Sequence, residues 1–143
     1  MALFEKILVP LDSSEHSKNA LEKAIQIAKK FESEITLIHV YSLEGVPFSI
    51  TSTFYEGYLK DIRNFGNAIL VHGLKQVESE GVNVETFLIK GHVVKEIIRV
   101  AKERKFDLIV IGARGLSTIK EIFLGSVSHG VINHASCPVL VVK

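Results

Sequence analysis

Asp107-Leu108-Ile109-Val110-Ile111-Gly112-Ala113-Arg114-Gly115 is the stretch on which the reading of this chain turns. Four consecutive branched apolar residues, Leu108 to Ile111, form too short a run for a buried helix. They suit a strand covered on both faces. Two glycines three residues apart, Gly112 and Gly115, stand directly at its carboxyl end. Lacking a Cβ, they let the backbone approach a bulky group closely.

The same kind of strand recurs on either side. Lys6-Ile7-Leu8-Val9-Pro10, Ile35 to Val40, Val84 to Ile89 and Pro138 to Val142 are further short apolar runs. Helical patterns separate them. Ala20, Leu21, Ala24, Ile25, Ala28 and Phe31 recur at spacings of three and four, and Val94, Ile97, Ile98 and Ala101 do the same after the third strand. Between the second and third strands Tyr55, Tyr58, Leu59, Ile62, Phe65, Ile69, Leu70, Leu74 and Val77 trace a long helical stripe. Gly57, Gly66 and Gly73 interrupt that stripe, and Gly81 ends it. Strands alternating with helices predict an α/β fold: an open parallel five-stranded sheet with right-handed crossovers and helices on both faces, in three layers. No repeat, linker or low-complexity tract divides it, so residues 1–143 read as a single domain. Residues 42–52 mix Gly45 and Pro47 with Val46, Phe48 and Ile50, and read either as a functional loop or as a plain surface connection.

Composition narrows the function. Seventeen Lys and Arg balance sixteen Asp and Glu, a net charge of +1, which lacks the basic excess of a nucleic-acid binder. No apolar run reaches the roughly 20 residues of a membrane span, and Met1 to Lys6 has no signal-peptide layout. The single cysteine, Cys137, has no internal disulfide partner, and the expected setting is the reducing cytoplasm.

Ligands of parallel sheets bind beyond the carboxyl ends of the strands, where the strand order reverses. The candidate positions are Pro10, Leu11, Asp12, Ser13 and Ser14, then Val40 to Ser42, Ile89 to His92, and the residues after Ile111. After nine intervening residues Gly115 is followed by Gly125-Ser126-Val127-Ser128, where the last helix should begin. Its first N–H groups and its dipole favour a phosphate. Ser126 and Ser128 could add hydroxyl donors, and Arg114 could pair with the anion or stay solvated. Glycines after a strand can also do no more than turn the chain; it is the second glycine–serine pair that points to phosphate.

No Walker sequence and no G-x-G-x-x-G after the first strand occurs. The third strand ends in Lys90 where a response-regulator receiver would need an aspartate. None of His16, His39, His72, His92, His129 and His134 shows the spacing of a zinc site, so neither a metal site nor a catalytic set is expected. His39 reads as a structural histidine close to the pocket, and Cys137 as an inert thiol.

The pattern glycine, two residues, glycine, nine residues, glycine, serine, met by Gly112, Gly115, Gly125 and Ser126, resembles that of the universal stress protein family, in its ATP-binding branch. Lys6 to Asp12, Leu37 to Val40, Asp107 to Gly112 and Ser136 to Val142 are similar to the family's strands. The resemblance implies strand order 3-2-1-4-5 and a homodimer through the last strand, Val139 to Val142. It also implies ATP as ligand, with Mg²⁺ or Mn²⁺ held mainly by the phosphates. By the same resemblance Asp12 would contact the ribose region, Val40 would offer backbone bonds to adenine, and Gly112, Gly115, Gly125, Ser126, Val127 and Ser128 would surround ribose and phosphates. His92 departs from the residues common in relatives. The function implied is a nucleotide-dependent switch or binding module with an unknown protein partner; a slow ATPase or phosphotransferase is the alternative.

Overall fold

The apolar runs become the strands of one parallel sheet. In the computed structural model, which describes residues 3–43, 52–116 and 124–143, the elements are β1 (Lys6–Pro10), α1 (Glu15–Phe31), β2 (Glu34–Tyr41), α2 (Ser52–Ser79), β3 (Val84–Lys90), α3 (Val93–Glu103), β4 (Leu108–Gly112), α4 (Ser126–His134) and β5 (Val139–Val142). The strand order is β3-β2-β1-β4-β5 and every pairing is parallel. β1 is central: Ile7 pairs with Ile35 of β2 and Leu8 with Ile109 of β4. The expected loop around Val46, Phe48 and Ile50 falls mainly outside the described residues.

Alternation along the strands divides the core. Ile7, Val9, Leu37 and Val110 pack with α1 and α2, while Leu8, Ile38, Ile109 and Ile111 pack with α3 and α4. α1 starts at Ser14, whose hydroxyl accepts from the Ser17 amide, and ends at Glu32 in the left-handed region. α3 starts at His92, whose side chain accepts from the Lys95 amide. The unusual histidine after β3 is thus a helix cap.

α2 corrects one expectation. Tyr58 and Phe65 are solvent-exposed, at 45% and 54%, and the buried line along the helix is Gly66, Leu70, Gly73 and Val77. A Cβ on Gly66 would lie 2.7 Å from both His39 Cδ2 and Leu88 Cδ1, and one on Gly73 would lie 2.9 Å from Leu37 Cδ1. These glycines let the helix backbone lie directly on β2 and β3. They are the contact surface of the helix, where the sequence pattern read them as interruptions.

Candidate functional site

The order reverses between β1 and β4, and the cavity of about 250 Å³ found there opens at the carboxyl ends of the strands. Pro10, Leu11, Asp12, Val40, Gly112, Arg114, Gly115, Gly125, Ser126, Val127 and Ser128, all singled out from sequence, line it together. Ser13 does not. It takes a left-handed conformation, φ 71°, and serves to turn the chain between Asp12 and Ser14. Ser14, Ser17, Ile38, His39, Val93, Ile97, Ile111 and Leu116 complete the lining. Ile38, Ile97 and Ile111 look like ordinary core residues in the sequence, and only the strand order brings their ends to one opening.

Hydrogen bonds from Ser14 and Ser17 build the turn after β1. Asp12 Oδ1 accepts from the Ser14 amide at 2.9 Å and from the Ser14 hydroxyl, and the Asp12 amide donates to Ser17 Oγ at 3.2 Å. His39 Nδ1 lies 2.7 Å from the Leu11 carbonyl oxygen, so the ring donates there and ties β2 to the same turn. Asp12 Oδ2 faces Gly115, where an added Cβ would come within 2.6 Å of it. Among the described lining residues Asp12 is the only carboxylate and Arg114 the only permanent cation.

The amides at the tip of β4 are already engaged. Ala113 donates to the Val142 carbonyl at 2.7 Å, Arg114 to His16 Nδ1 at 3.1 Å, and Gly125 to the Ala113 carbonyl at 2.7 Å. Gly125 gives α4 no side-chain cap, so the first-turn N–H groups of Ser126, Val127 and Ser128 have no acceptor within the helix. Those groups, with Gly115 beside Gly125, edge this end of the cavity.

Ser128 also differs from the expectation. It is 2% exposed, and its hydroxyl lies 2.7 Å from the Ala113 carbonyl and 3.1 Å from that of Gly125. Its single proton is committed to the loop's own carbonyls, so it fastens α4 to the loop where a phosphate donor was expected. Cys137 lies away from the cavity lining, and burial, followed by the nearby Asp107 carboxylate, pushes its thiol above the ordinary range, away from nucleophilic use.

An open parallel sheet with a glycine-edged cavity at its switch point and an uncapped helix foot in the wall defines a nucleotide-fold α/β protein. The profile of the Universal stress protein family matches residues 3–143, and the chain belongs to that family. It is similar to the universal stress protein YxiE of Bacillus subtilis, 36% identical over 99% of this chain and 100% of that one. Among solved structures, Methanocaldococcus jannaschii MJ0577 superposes with a TM-score of 0.88 at 29% identity, over 99% of this chain and 96% of that one. A universal stress protein in complex with cAMP superposes with a TM-score of 0.71 at 27% identity, covering 100% and 98% of the two chains. Among the described residues no helix is long and apolar enough to cross a membrane.

Proposed function

We propose that this chain binds ATP at the switch-point cavity and acts as a nucleotide-dependent regulatory module in the stress response. The observation that carries the reading is the uncapped first turn of α4 in the cavity wall, with Gly115 packed beside Gly125: main-chain donors without a side-chain cap, beside backbone that carries no Cβ. Ile38, Val40, Val93 and Ile97, from β2 and α3, supply an apolar wall suited to a purine, and the relative in complex with cAMP supports an adenine nucleotide. In this reading Asp12 meets the ribose, Val40 offers its backbone to adenine, and Gly112, Gly115, Gly125, Ser126 and Val127 enclose ribose and phosphates.

The donor set fits a divalent ion that arrives with the nucleotide. Among the described residues no cluster of three or more His, Cys, Asp or Glu side chains could hold a metal, so Mg²⁺ or Mn²⁺ would rest mainly on phosphate oxygens. Asp12, with Oδ1 occupied by Ser14, could add at most one oxygen. The ion would screen the phosphates from that carboxylate.

Homodimerisation through β5 belongs to the same reading. β5 is an edge strand, Leu140 is 37% exposed on it, and pairing with a second copy would cover both the edge and that side chain. Sedimentation should then show a dimer that Val141→Pro converts to monomer, whereas a wild-type monomer at micromolar concentration would refute it.

Calorimetric titration with ATP and Mg²⁺, paired with chemical unfolding, tests the site. At a free concentration of ~100 times the dissociation constant the ligand should add about 2.7 kcal/mol of stability. No heat and no stabilisation would refute the proposal.

A further inference from the structure

His16 lies in the first turn of α1. Its Nδ1 lies 3.1 Å from the Arg114 amide nitrogen. A backbone N–H can only donate, so Nδ1 must hold a lone pair and the ring proton must sit on Nε2. An imidazolium carries N–H on both nitrogens, so this bond and protonation of His16 exclude one another. Packing enforces the contact. A Cβ on Gly112 would lie 2.8 Å from the His16 carbonyl carbon and from the Ser17 nitrogen, so α1 rests directly on the end of β4. Arg114 sits between Ala113, anchored to β5 through the Val142 carbonyl, and Gly115, which opens on the cavity. His16 therefore accepts from the peptide that leads into Gly115.

We propose that His16 is a proton-sensitive latch on the loop from Ala113 to Leu116: neutral, it holds the Arg114 amide and sets Gly115 for the nucleotide; protonated, it releases the loop and nucleotide affinity falls. The latch rests on the nucleotide reading of the cavity and makes His16 a positioning residue of that site. On α1 the charged residues next to it in sequence are Glu15 and Lys18, and on the segments that α1 contacts they are Asp12 in the turn after β1, Arg114 itself, and Lys143 after β5, whose carbonyl accepts from Asn19. His39 behaves differently: its Nδ1 faces a carbonyl and donates, so its bond survives protonation.

The test compares the wild type with His16→Asn, whose side-chain oxygen can accept from the same amide but does not titrate, and with His16→Leu, which cannot accept. ATP affinity is measured by calorimetry from pH 8 to pH 5.5. Taking the ratio of wild type to His16→Asn at each pH cancels protonation of the nucleotide and of the other histidines. Loss of one such hydrogen bond should lower that ratio about five-fold on the acid side, and His16→Leu should bind more weakly than His16→Asn throughout. In the free protein the Arg114 amide resonance should titrate together with the His16 ring in the wild type and stay flat in His16→Asn. A ratio constant with pH, or affinity rising as His16 protonates, would overturn the latch; the second result would make the imidazolium a direct phosphate contact. If no protein binds ATP at any pH, the nucleotide reading fails, and an Arg114 amide indifferent to His16 would separately dispose of the latch.

Discussion

Two glycines in one helix, Gly57 and Gly66, should respond to the same substitution in opposite directions. Gly57, Gly66 and Gly73 all lie in α2, and replacing any of them by alanine gains about 1 kcal/mol of helix propensity. At Gly57 nothing among the described residues lies within 4 Å of the new methyl, so Gly57→Ala should stabilise the protein by about that amount. At Gly66 the methyl would come within 2.7 Å of His39 and of Leu88, from two sides, where ordinary contact begins near 3.4 Å. The His39 ring cannot yield freely, because Nδ1 is tied to the Leu11 carbonyl at 2.7 Å. Relieving the overlap costs roughly 1–3 kcal/mol of overpacking and puts about 1 kcal/mol of hydrogen bonding at risk. Against the propensity gain, Gly66→Ala should be destabilised by about 1–3 kcal/mol. Urea unfolding, with midpoints and slopes compared among wild type, Gly57→Ala and Gly66→Ala, reads the difference. Gly66→Ala as stable as Gly57→Ala would show that α2 does not lie on β2 as described.

Two further substitutions probe the cavity rim. Gly115→Ala would drive its methyl to within 2.6 Å of Asp12 Oδ2, while Oδ1 is held by Ser14. ATP affinity by calorimetry should fall at least ~10-fold, about 1.4 kcal/mol, with the fold retained by circular dichroism; unchanged affinity would remove Gly115 from the site. Ser13 is held at φ 71° and makes no wall of the cavity, so Ser13→Gly relieves a left-handed penalty of about 1–2 kcal/mol less the extra freedom of the unfolded chain. The melting temperature should rise by a few degrees, and a fall would show that the Ser13 side chain has a role of its own.

The strands and the residues of the cavity were legible because their signals are local. A strand buried on both faces, such as Leu108 to Ile111, must be apolar throughout, and a glycine–serine pair such as Gly125 and Ser126 marks where a helix begins without a side-chain cap. What escaped the sequence depends on which partner claims a group. Ser128 looks like a donor to ligand until its hydroxyl is found on Ala113 and Gly125 carbonyls, and the Arg114 amide looks available until His16 is found 98 positions away in sequence. The stripe along α2 misled for a related reason. Periodicity assumes that contact is made by side chains, and at Gly66 and Gly73 it is made by backbone.

In the proposed complex the main-chain donors at the foot of α4, with Gly115 beside them, receive the phosphates of ATP. Residue-resolved amide NMR during titration with ATP and Mg²⁺ tests it most directly. Gly115, Ser126 and Val127 should show large, saturable shifts, with Gly57 and Gly81 unmoved. Saturable binding that leaves those three amides unchanged, or an absence of binding, would contradict it.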